Sequence, residues 1–137
     1  MQNHQIFAGQ LTNDPRSMSI EHLHNMRLSL VGEVTALLNR DASEGLRWHG
    51  TRRDLLEALH TAYFYGRIVD ADGQLLSFLE IVRRSYDILH LPCPHNPWSI
   101  VVRAKNRKGM RQTTFFERYC HLRQSAPSKG IIEHLIN

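Results

Sequence analysis

Apolar residues return at intervals of three and four from Ser17 onward, where Ile20, Leu23, Leu30, Val31, Val34, Leu37 and Leu38 draw one stripe interrupted by Arg27. Such spacing lines one side of a helix with about 3.6 residues per turn. It predicts a long first helix over residues 18–40. The hydroxyl of Ser17 or Ser19 is placed to accept from the first-turn amides and start it. Asp41 to Gly45 is a polar break, and residues 1–16, with Asn, Gln, Gly9 and Pro15, read as a lead-in.

The second apolar run, Leu55, Leu56, Leu59, Ala62 and Tyr63, follows Thr51 and Asp54. These two form a variant capping box, in which the hydroxyl covers one amide and the carboxylate reaches back to another. Gly66 is the expected left-handed stop. Trp48, just ahead, is expected to pack on this helix. RIVDADGQ reads as a turn with a few extended residues at 67–69. Asp70, Asp72, Gly73 and Glu80 are too closely spaced for a calcium loop. Leu75, Leu76, Leu79, Val82 and Tyr86 predict a third helix, with Arg83 and Arg84 near its cation-favouring end.

ILHLPCPHNP is a proline-punctuated connector. Asn96 and Pro97 suit the cap and first position of a fourth helix that would run to about Lys105. The β-branched run Ile100, Val101 and Val102 fits a strand as well. In both versions Gly109 ends the element. Thr114 and Glu117 form a full capping box for a fifth helix, whose apolar side is Phe115, Phe116, Tyr119, Cys120 and Leu122. Pro127 and Gly130 close it, and the tail IIEHLIN is expected to pack back on the body. The pattern as a whole predicts a mainly α fold, a compact domain of four to five helices.

Charge changes this picture. The net charge is +4 over 137 residues. Residues 1–70 hold seven bases against eight acids, and residues 71–137 hold ten bases against five acids. From Arg103 to Arg111 five of nine residues are cationic, namely Arg103, Lys105, Arg107, Lys108 and Arg111, and no acid lies between Asp87 and Glu117. The strip is expected to bracket a turn at Asn106 to Gly109. Uncompensated guanidinium groups suit phosphates and guanine edges, which they bind as a planar fork. Thr113, Thr114 and the amides opening the fifth helix would add neutral phosphate contacts. The other use of such a strip is a solvated face.

Other chemistry finds less support. His90, Cys93, His95, Cys120 and His121 match no common zinc spacing, so no metal is expected. Glu57 and His60 share a helix face and read as a surface pair. No nucleophile elbow, phosphate loop, zinc-protease or dinucleotide motif is present, so neither catalysis nor a cofactor is expected. Two cysteines make no disulfide framework, and neither a signal peptide nor a membrane-length apolar run is visible, so a cytoplasmic setting is expected. The first helix offers a face for self-association, although packing on the domain is its plainer use. A non-enzymatic interaction module is the alternative reading. In it Tyr63, Phe64, Tyr65 and the first helix make the contact and the strip binds an acidic partner.

WHGTRRDLLEALHTAYFYG (48–66), RIVDADGQ and RAKNRKGMRQTTFFERY resemble the C-terminal part of the RteC family, which is associated with tetracycline-inducible mobilisation of conjugative elements in Bacteroides-type bacteria. Trp48, Gly50, Thr51, Asp54, Leu55 and Glu57 carry the first block of the likeness, Asn106, Arg107 and Lys108 the second, and Thr114 and Phe116 the third. The likeness spans residues 46–124. It implies a helix-turn-helix or winged-helix-like DNA-binding domain over residues 46–137, preceded by a lead-in and helix over 1–45. Residues 99–116 would be either a helix-turn-helix or a β-hairpin wing. It further implies a regulator of transcription that binds double-stranded DNA. Arg103, Lys105, Arg107, Lys108, Arg111, Thr113 and Thr114 would touch the DNA, and Trp48, Thr51, Asp54 and Phe116 would form the scaffold.

Overall fold

The computed structural model of the chain describes residues 18–111, 114–125 and 130–137, with the side chains of Lys105 and residues 107–111 outside that description. The lead-in, Thr113 and Pro127 also lie outside it. Among the described residues six helices follow one another: α1 (Ile20–Leu38), α2 (Arg52–Tyr65), α3 (Phe78–Ile88), α4 (Pro97–Arg111), α5 (Phe115–Ser125) and α6 (Ile131–Leu135). A single 3-10 turn, Ala42–Glu44, sits between the first two. The fold is all-helical, with no strand among the described residues. None of the described helices is long and apolar enough to cross a membrane.

α2 is the hub. Asp54, Leu55, Leu56, Glu57, Ala58, Leu59 and Ala62 on it are all buried, and α1, α3, α4 and α5 pack around it. Ala58 and Ala62 matter because a short side chain lets a neighbouring backbone approach. From α1 the expected stripe delivers Leu30, Val34 and Leu37 to the same core that holds residues of α2 to α6. Truncating a fully buried leucine of this kind to alanine typically costs about 2–5 kcal/mol. The far end of the stripe is unused, since Ile20 is 87% exposed.

The helix starts follow the sequence closely. Ser19 accepts from the His22 amide at 3.1 Å and caps α1. Thr51 accepts from the Asp54 amide at 3.1 Å and caps α2. Asn96 accepts from the Ser99 amide at 3.2 Å, one residue ahead of Pro97. The C-terminal tail packs back as expected: Ile131, Ile132 and Ile136 are buried, and Arg47 and Asn137 exchange backbone hydrogen bonds of 2.9 and 3.2 Å.

Several boundaries differ. Gly66 ends α2, but in an extended conformation (φ −111°), not a left-handed one. The glycine is needed for space: a Cβ there would lie 2.6 Å from a methyl of Val31 on α1. α3 begins at Phe78, capped by a reciprocal Ser77–Glu80 box that the apolar pattern hid. Leu75 stays outside, exposed, on a tight antiparallel turn where Val69 faces Leu75 and Gly73 takes φ +81°. In that turn Asp70 accepts from the amides of Asp72 and Gln74, both at 2.9 Å, so its carboxylate serves the backbone.

The largest correction concerns α4. It runs on through Gly109 to Arg111, so the strand alternative and a β-hairpin wing over 99–116 both fall. One glycine costs a helix about 1 kcal/mol relative to alanine, too little to stop one held by Val101 and Ala104 in the core. Leu122, expected on the apolar side of α5, is exposed, while Phe115, Tyr119 and Cys120 are buried.

Candidate nucleic-acid interface

The strip therefore lies on the closing turns of a helix and does not bracket a turn. Pro97, Val101 and Ala104 bury one side of α4 against the body. Arg103 is exposed and forms no ion pair among the described residues. Lys105, Arg107, Lys108 and Arg111 follow along the same helix, and Arg103, Arg107 and Arg111 stand at four-residue intervals on it. The side chains of those four cations other than Arg103 lie outside the described residues, as does Thr113 entirely.

Beyond the strip, α5 is fixed to α2 with unusual thoroughness. Thr114 accepts from the Glu117 amide at 3.2 Å, and Glu117 accepts from the Thr114 amide at 3.2 Å, which completes the box read from sequence. The hydroxyl of Thr114 is thus already engaged in capping. The Phe115 amide donates to Glu57 Oε1 at 3.1 Å. Glu57 is only 3% exposed, so it does not lie on the surface as its spacing suggested. Placing its carboxylate at the positive end of α5 offsets part of its desolvation. His60 joins an aromatic group, with its ring 5.4 Å from that of Phe78 and 5.3 Å from that of Trp98.

Asp54 also takes a role its spacing did not suggest. Its buried carboxylate accepts from the Arg118 guanidinium at 2.5 Å, tying the start of α2 to α5. The bond is charge-assisted, between a buried carboxylate and a guanidinium that is 44% exposed. On the other side of α5, Tyr119 donates to Glu33 at 2.6 Å, and its hydroxyl also meets Ser29 at 2.9 Å. Burial, reinforced by that carboxylate, pushes the Tyr119 phenol well above its ordinary range. Glu33 accepts in addition from the Ile132 amide at 2.7 Å, so one α1 side chain holds both α5 and α6.

Trp48 is half-buried, and its indole N–H donates to the Thr51 carbonyl at 2.8 Å. Phe116 is half-buried beside Arg27, whose guanidinium sits 4.4 Å above the Tyr65 ring and 5.4 Å above that of Phe116. Arg27, Glu57, Thr61, Tyr65, Thr114 and Phe116 line a cleft of ≈270 Å³ at the start of α5. Thr51 is exposed and spent on its cap.

The thiols are separate and unlike. Cys120 is buried, and burial pushes its pKa up to about 11, whereas Cys93 is exposed. Among the described residues no three His, Cys, Asp or Glu side chains come together as metal ligands.

Glu57, Arg118 and Glu33 were not singled out from sequence as site-builders. Their partners lie 58, 64 and 86 residues away, at distances no local pattern encodes. A buried carboxylate inside an otherwise apolar helical run, as Glu57 is within LLEALH, was the one available signal.

No family model, curated protein or solved structure matches this chain.

Proposed function

We propose that the protein is a DNA-binding transcriptional regulator of the RteC type, acting on a mobile genetic element and needing no cofactor. One observation carries this reading: five cations in nine consecutive residues close a single helix, within a stretch free of acids from Ile88 to Phe116. A helix end so charged repels other cations and draws a polyanion at long range. Arg103, with no carboxylate partner among the described residues, supports it. The pinned start of α5, three residues beyond α4, supports it too, since a rigid platform limits the entropy lost on binding. The sequence likeness to the RteC family supplies the regulatory part of the proposal.

Fluorescence anisotropy with a labelled 30-base-pair duplex tests it. Binding at 50 mM salt is expected, weakened at least tenfold when Arg107 and Lys108 are both replaced by alanine. Absence of binding at low salt, or an unchanged affinity in the double variant, overturns it.

A second reading rests on exposed aromatic surface. Phe64 is 67% exposed and Tyr65 44%. Those rings, with the strip, fit a non-enzymatic module that binds an acidic protein. Self-association through α1 would use its exposed Ile20 and Leu28. Titration with an acidic peptide, and sedimentation of the free protein, separate these from DNA binding.

A further inference from the structure

α4 has two described sides that differ in character. Pro97, Val101 and Ala104 are buried against the body. Val102, Arg103 and Asn106 are exposed, with Val102 at 52%. Residues three and four apart on a helix are neighbours, so Asn106 adjoins both Val102 and Arg103 and the three make one outward patch. The patch contains an apolar branch, a planar cationic fork and a primary amide, and it has no acid. It leads directly into the cationic end of the helix.

We infer that Val102, Arg103 and Asn106 are the base-reading residues of α4, and that their partner is the edge of two or three adjacent base pairs in the DNA major groove. This rests on the DNA-binding reading above and goes beyond it, since the proposed strip contains neither Val102 nor Asn106. The chemistry matches one to one. A carboxamide pairs bidentately with adenine N6 and N7, a guanidinium with guanine O6 and N7, and an aliphatic group with the thymine methyl. The dimensions agree: Val102 to Asn106 rises about 6 Å along the axis, and base pairs stack about 3.4 Å apart. Charge selects the occupant, because an acid-free helix that ends in five cations complements a phosphate-walled groove. Lysines and arginines farther along would hold phosphates and set affinity, whereas this patch would set sequence preference.

The test is selection from a random-duplex library with the intact protein, followed by affinity measurements on the enriched duplex and on a scrambled one. Asn106→Ala is expected to lose about 10- to 100-fold on the enriched duplex and less than twofold on the scrambled one. Its preference at one A·T pair should relax, and Val102→Ala should relax a neighbouring thymine. Both residues are exposed, so circular dichroism should show unchanged helix content in both variants. If wild type enriches no sequence, or if Asn106→Ala enriches the same sequence as wild type, the base-reading assignment is overturned while DNA binding stands. If wild type binds no duplex at all, the assignment and the function both fall. If Asn106→Ala loses equally on both duplexes, Asn106 holds backbone and the assignment is again overturned.

Discussion

Arg118 and Arg103 share a side chain and are used in opposite ways. Arg118 reaches the buried Asp54 carboxylate at 2.5 Å and fixes α5 to α2. Arg103, on α4, is exposed with no carboxylate partner among the described residues. The protein evidently has acids with which to neutralise its bases, and spends them around α1, α2 and α5. Asp54, Glu57 and Glu33 are all consumed in placing α5 and the tail. The contrast separates charge that builds the molecule from charge left for something else.

Substitutions can break that contrast at either end. The largest effect is expected at Glu33, whose carboxylate accepts from both Tyr119 and the Ile132 amide. Glu33→Ala leaves a buried phenol and an amide short of their charged acceptor, and should destabilise by about 3 kcal/mol. A urea titration followed by far-UV circular dichroism reads this. Arg118→Ala comes next, at about 2 kcal/mol. That lies below the usual cost of breaking a buried pair because the Arg118 side chain is 44% exposed. Gly66→Ala is expected to cost about 1–2 kcal/mol by forcing α1 and α2 apart at Val31. Arg103→Ala, in contrast, should move stability by less than about 0.5 kcal/mol.

Two titrations sharpen the picture at the small end. Hydrogen bonding to the Ser77 amide holds the Glu80 carboxyl below its ordinary pKa of 4.5. A depressed folded-state pKa contributes stability that is complete above the unfolded value and is lost as pH falls through the folded one. Wild type should therefore lose thermal stability more steeply than Glu80→Gln as pH drops below 4.5. Cys120 works the other way: its raised pKa favours folding below 9.0, and that contribution fades as pH rises toward about 11. At pH 8 a thiol reagent should modify Cys93 in the native protein and reach Cys120 only after unfolding.

Local chemistry was largely legible in the sequence. Ser19, Thr51, Asn96 and the Thr114–Glu117 pair all cap the helices they were expected to open, because a cap is settled within four residues. Helix ends were harder. Gly66 and Gly109 both looked like stops; the first does end α2, though in an extended conformation and where Val31 leaves no room for a side chain, whereas the second lies inside α4. Glycine marks freedom or lack of room, and only the neighbouring element decides which. The candidate site divided in the same way. The density of cations was plain from residue order, whereas their place on a helix depended on Val101 and Ala104 being buried, which is a tertiary fact. The pairing of Asp54 with Arg118 spans 64 residues and left no local trace.

The salt dependence of duplex binding tests the central claim most directly. If the cations closing α4 neutralise phosphates, log K should fall against log salt with a slope between about −3 and −5, and the Arg107→Ala, Lys108→Ala double variant should lose about 2 of that. A slope near zero, or one that the double variant leaves unchanged, would show that this charge serves something other than DNA.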